Sequence, residues 1–105
     1  MTYETALDAL GDGTRRAVLA ILKDGPRSVA DIAATLPVSR PAVSQHLKVL
    51  QGAGLVSHER AGTRRLYRVE LDALGELRAF FDRFWDEALA NFKELAEREK
   101  DDDRG

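Results

Sequence analysis

The sequence predicts a mostly α-helical domain that carries one small β-hairpin. Two observations lead there: apolar residues recur every three or four positions in five separate stretches, and a pair of strand-like runs with a glycine between them interrupts the helices once, before the last. A third, the length of 105 residues, allows a single domain with a modest core.

The first helix is short. In "YETALDAL", Tyr3, Ala6, Leu7 and Leu10 share one face, and "GDG" stops it. Thr14 is the expected cap of the second helix, "RRAVLAILKD", in which Val18, Leu19, Ile21 and Leu22 form a dense apolar side before Gly25 and Pro26. Ser28, with Asp31 three residues on, has the pattern of a capping box for the third helix, "VADIAATL", whose Val29, Ile32, Ala33 and Leu36 face inward until Pro37 breaks it.

Ser39 caps the fourth helix, and Pro41 falls in its first turn, where a missing backbone donor costs little. Val43, Leu47 and Leu50 fall in one narrow stripe. Pro41, Ser44, Gln45 and Lys48 lie across from it, with Arg40 at the edge. Gly52 and Gly54 supply a permissive backbone for its end, after which "LVSHER" and "RRLYRVE" read as two strands joined through "AGT". The fifth helix starts near Asp72 and carries Leu74, Leu77, Phe81, Phe84, Ala88, Phe92 and Leu95 along one stripe. Phe80, Trp85 and Leu89 widen that stripe beyond what a small core uses. The domain is expected to span 1–98, with a frayed, charged tail at 99–105.

Composition excludes several classes. With 44% hydrophobic and 32% charged residues the chain is not disordered, and no run approaches the roughly 18 apolar residues of a membrane span. It has no cysteine and no leader-like start, so a cytoplasmic location is expected. Net charge is -2, but it is unevenly spread. From Val38 to Glu70 six basic residues face two acidic ones, a balance of +4, whereas from Leu71 onward six face eleven, a balance of -5. Placement, more than the sum, shapes a local binding surface.

Two short helices separated by a tight break, the second polar on its outer side, followed by a basic hairpin, make the order of a winged helix-turn-helix. In that motif the second helix enters the major groove of double-stranded DNA. Gln45 has the groups to pair with adenine, Arg40 or Lys48 with guanine, Ser44 with several bases, and Pro41 to meet a thymine methyl. Ser39 and His46 flank that face. An ordinary solvated surface helix has the same pattern. Arg60, Arg64 and Arg65 cluster around Gly62, as phosphate or minor-groove contacts or as a guard on an edge strand. Arg27 and Ser28 at one helix start, and Thr14 and Arg15 at another, are candidate phosphate contacts or plain caps. His46 and His58 lack partners at metal-ligand spacing, so no metal and no cofactor are expected, and no catalytic motif is present, so no enzyme.

"LGDGTRRAVLAIL", "SVADIAATLPVSRPAVSQHLKVLQGAGLV" and "RAGTRRLYRVELDALGELRAFFDRFW" resemble the ArsR (arsenical-resistance repressor) family of bacterial winged-helix regulators, within it the metal-independent autorepressors. The resemblance covers Leu10 to about Trp85. It implies a homodimer built by the first and fifth helices that binds an imperfect palindromic operator and blocks transcription. Tyr3, Leu7, Phe80, Phe81, Phe84, Trp85 and Phe92 are the expected interface, unless the aromatic stripe serves a purely internal core. The family's thiol and zinc sensors carry Cys in the third helix or His on the last, and this chain has neither there. Release from DNA then falls to a small molecule, a partner protein or a change in abundance. The rival readings are a protein-interaction adaptor on the same scaffold and, third, a sensor using carboxylates and His58.

Overall fold

The computed structural model describes residues 3–102. Its elements run α1 (Tyr3–Ala9), α2 (Gly13–Leu22), α3 (Val29–Thr35), α4 (Arg40–Gly52), β1 (Val56–Ala61), β2 (Arg64–Val69) and α5 (Leu71–Asp102). Order and type agree with the sequence expectation, and the boundaries differ in instructive ways.

Asp12, rather than Thr14, caps α2. Its backbone is extended, and its carboxylate accepts the Arg15 N–H at 3.0 Å, so the helix begins one residue before the expected cap. The α3 start is as read: the Ser28 hydroxyl accepts from the Asp31 N–H, and the Asp31 side chain accepts from the Ser28 N–H. Pro37 forces the residue before it out of the helical region, so Leu36 sits at φ -108, ψ 149 and α3 ends there. Four residues later α4 begins, capped by the Ser39 hydroxyl on the Ala42 N–H. This short break sets the two helices of the motif.

The end of α4 is a Schellman turn. Gly54 takes φ +76, the Gly54 N–H donates to the Gln51 carbonyl, and the Leu55 N–H reaches back to Leu50. Only this glycine of the expected pair needs its freedom, for Gly52 is still helical. The turn drops Leu55 and Val56 into the core, where Val18, Ile32, Val43, Leu47 and Leu50 are also fully buried. Fully burying a Val, Leu or Ile side chain contributes about 1.5–3 kcal/mol relative to leaving it exposed. The three-residue stripe of α4 is therefore what fixes its rotation, and with it the direction of the polar face.

β1 and β2 pair antiparallel from Val56↔Val69 to Ala61↔Arg64. Gly62 and Thr63 form the connection, with φ positive at Gly62 only, the sign pattern of a type II′ turn that suits the twist of a hairpin. The root of this wing is tied to the body by a bridge that the sequence does not announce. Arg27 and Tyr67 exchange backbone hydrogen bonds of 3.0 and 2.8 Å, joining the α2–α3 connection to β2.

α5 holds 32 residues. Its first turns pack on α1, burying Leu77, and the remainder leaves the body. The helix continues through Glu99 to Asp102, where fraying was expected; residues 103–105 lie outside the described part. The molecule measures 73 × 26 × 21 Å, with a radius of gyration of 19.7 Å. A compact chain of this length has about 13 Å. Among the described residues no helix is long and apolar enough to cross a membrane.

Candidate nucleic-acid interface

The outer face of α4 follows from its inner one. With Val43, Leu47 and Leu50 buried, Arg40, Pro41, Ser44, Gln45 and Lys48 are all exposed. Pro41, Ser44, Gln45 and Lys48 span about 100° of arc at 3.6 residues per turn. His46 is half-buried, unlike the exposed residues on either side of it on that face. At the far end Gln51 holds β1 through a 3.0 Å contact with the His58 ring, so helix and wing share a fixed corner.

The wing separates its arginines into two groups. Arg60 and Arg65 are exposed and directly opposed across the hairpin. Like charges in that position destabilise a sheet. An anion laid over the pair removes the repulsion. Arg68, in contrast, lies within 4 Å of both Glu59 and Glu70 and is already balanced. Among the described residues, Arg40, Lys48, Arg60 and Arg65 have no hydrogen-bond or ion-pair partner, which leaves four cations on α4 and the wing open to phosphate.

Five of the candidate phosphate contacts, Ser28, Arg64, Arg15, Thr14 and Arg27, have placements of their own within the chain. Ser28 is 6% exposed, and its hydroxyl oxygen accepts from the Asp31 N–H and from Arg64 Nη2, so it caps α3. Arg64 bends back from the wing, 2.8 Å from Ser28 Oγ and 3.1 Å from Asp31 Oδ2. It latches the hairpin to the start of α3. Arg15 points to the end of α1, where its Nε donates to the Ala9 carbonyl and Arg16 Nη1 donates to Leu10; cations suit that negative dipole end. Thr14 lies inside α2. Arg27 is half-buried, with Nη1 on the Pro26 carbonyl.

The latch has a pH consequence. The Ser28 hydroxyl first, then its backbone N–H, hold the Asp31 carboxyl below its ordinary value of 3.8, with Arg64 adding to the effect. A lowered folded-state value means that the stabilisation is complete above 3.8 and is lost as pH falls through the folded value, because the unfolded chain binds the proton first. Asp31→Asn is expected to lower the thermal midpoint at neutral pH and to flatten its fall in acid. Parallel melting curves for the two proteins from neutral pH into acid contradict this.

The dimer candidates divide by location. The α1 residue Leu7 is half-buried, with its helix against its own α5; the side chain of Tyr3 falls outside the described residues. On α5, Phe80 is half-buried, while Phe81, Phe84, Trp85 and Phe92 are 50–70% exposed. The aromatic stripe is not covered by its own chain. Among the described residues no three His, Cys, Asp or Glu side chains gather as a metal set.

Comparison with known proteins places this geometry. The family described as "Bacterial regulatory protein, arsR family" matches residues 12–58. The HTH-type transcriptional regulator Rv2034 of Mycobacterium tuberculosis is 52% identical over 99 residues, 94% of this chain and 92% of its own. Among solved structures, an ArsR-like transcriptional regulator from Rhodococcus sp. RHA1 superposes with a TM-score of 0.75 at 34% identity, covering 89% of this chain and 91% of that one. A homodimeric winged helix-turn-helix DNA-binding domain from Mycobacterium bovis, solved in solution, gives 0.66 at 32% identity over 81% of this chain and 79% of that one.

Proposed function

This chain belongs to the arsR family of bacterial regulatory proteins, a transcriptional regulator with a winged helix-turn-helix DNA-binding domain, and from that premise we propose that it is a homodimeric repressor of an imperfect palindromic operator. One observation carries the reading: the exposed polar face of α4 stands beside a wing whose opposed Arg60 and Arg65 have no anion of their own.

α4 enters the major groove, where Gln45 reads adenine, Arg40 and Lys48 reach guanine or the flanking phosphates, and Ser44 and Pro41 complete the contact with base edges. Arg60 and Arg65 lie on the backbone or in the adjacent minor groove. Arg64 keeps the wing at a fixed angle to α3 so that both elements meet the duplex together. Two copies joined through α5 set their recognition helices about 34 Å apart, one turn of B-DNA. Occupancy of the operator blocks polymerase. The absence of cysteine from the chain, and of histidine from α5, supports the metal-independent branch, with a small molecule or a partner protein as the release signal.

Gln45→Ala tests base reading. Affinity for the protein's own upstream DNA is expected to fall by about 1–3 kcal/mol per contacted base pair, with affinity for random DNA unchanged. Equal loss on both sequences contradicts a reading role. If the unaltered protein shifts no DNA at low salt, the exposed α5 stripe instead favours an adaptor that docks another protein.

A further inference from the structure

The two faces of the wing differ in charge. Side chains alternate along a strand, so His58 and Arg60 of β1 share one face with their partners Tyr67 and Arg65 of β2. Arg60 stands two residues from His58 along β1, and Arg65 is diagonal to it across the hairpin, a separation of about 7–8 Å in such pairs. Glu59 and Arg68 lie on the other face, with Glu70 beside Arg68. We propose that His58 is a further residue of the DNA-binding face, one that takes up a proton when a phosphate backbone settles on Arg60 and Arg65. The proposal rests on the DNA-binding reading of the wing and adds a proton to its chemistry.

Two elements set the surroundings of the exposed His58 ring. Its Nδ1 lies 3.0 Å from Gln51 Oε1 of α4, and its centroid is 5.1 Å from that of the Tyr67 ring, at an interplanar angle of 46°. An amide oxygen only accepts, so this contact keeps a hydrogen on Nδ1 and leaves Nε2 as the atom that gains or loses the proton. Neither contacting side chain carries a charge. On α4 the charge next to Gln51 is Lys48, about one turn earlier and exposed. From the α2–α3 connection, Arg27 meets β2 along its far edge through the Tyr67 bridge. Among the described residues, the charged groups that these elements bring to His58 on this face are therefore cations: Arg60 and Arg65 first, then Lys48 and Arg27.

The sign of the effect follows from those charges. In the free protein Arg60 and Arg65 oppose a second proton on the ring because, unlike Arg64 and Arg68, neither has an anion of its own. A phosphate laid over the pair reverses that field and favours the charged ring. Binding that favours the protonated form takes up protons, so by linkage affinity for DNA rises as pH falls. Imidazole is the side chain that changes charge between pH 5 and 8, which sets the window. The Nδ1 contact survives protonation. The ring that responds to phosphate on the wing thus stays tied to the recognition helix through Gln51.

The test uses the full chain and its own upstream DNA at constant ionic strength. Affinity of the unaltered protein is expected to rise about tenfold between pH 8 and pH 5.5, with two wings contributing. His58→Gln keeps a polar partner for Gln51 without a titrating ring, and is expected to flatten that rise. In the Arg60→Ala, Arg65→Ala background, adding His58→Gln should leave the pH dependence as it is, because the coupling runs through that pair. The chain has only two histidines, so the imidazole Cε1–H resonances of the unaltered protein, free and DNA-bound, read the proton directly; the His58 midpoint is expected to move up on binding. An unmoved midpoint, or a His58→Gln protein whose affinity follows pH as the unaltered protein's does, overturns the proposal and leaves the DNA-binding reading standing. A protein that shifts no DNA at any pH overturns both.

Discussion

Trp85→Glu is expected to convert the dimer into a folded monomer that no longer holds operator DNA. Trp85 is 62% exposed on a part of α5 beyond the body, so the change removes little from the fold of one chain. In a homodimer joined through the exposed α5 stripe, the change puts a carboxylate into each copy's share of the interface. Burying an unpaired charge costs several kcal/mol per ion, and aromatic anchors at the centre of an interface are commonly worth 2 kcal/mol or more on their own. A monomer keeps one recognition helix and loses the advantage of linked half-sites, about 10²- to 10⁴-fold in apparent affinity. Sedimentation, a mobility shift and a melting curve check the three parts. A dimer of unchanged strength places the interface elsewhere.

Arg60→Ala with Arg65→Ala is the second large effect. A dimer carries two wings, so the double substitution removes four phosphate contacts. Each contributes about 0.9 to the slope of log affinity against log salt, so the slope should fall by about 3.6. Operator and random DNA are expected to lose affinity alike, and most at low salt. The repulsion between Arg60 and Arg65 is also relieved in the free protein, so its stability should hold or rise. A slope that does not change shows that the wing does not touch phosphate. Arg64→Ala is the contrast, since its guanidinium is engaged by Ser28 and Asp31; it acts on the wing's position and not on the salt slope.

Most of the fold was readable in the sequence because local signals agreed with the final packing. Ser28 and Asp31 form the capping box that their spacing suggests, Pro37 and Ser39 bracket the turn, and the Val43, Leu47, Leu50 stripe is buried to the last residue. Where two local solutions were equivalent, the sequence could not choose. Asp12 and Thr14 are both good caps, and only the extended backbone at Asp12 selects one. The outer face of α4 was readable for the same reason as its inner face.

The wing was readable only in part. Clustered arginines look identical in sequence, yet Arg64 meets a partner 33 residues away, Arg68 sits between two glutamates, and only Arg60 and Arg65 remain open. Sorting them requires the tertiary path of the hairpin, including the Arg27↔Tyr67 bridge.

The most direct measurement is a hydroxyl-radical footprint of the unaltered protein on DNA selected from a random pool. Two related half-sites are expected, inverted about a dyad and centred about one helical turn apart, with protection extending to the flanking backbone under the wings. Selected DNA with a single unpaired site, or no enriched sequence at all, contradicts a symmetric pair of α4 helices reading the major groove.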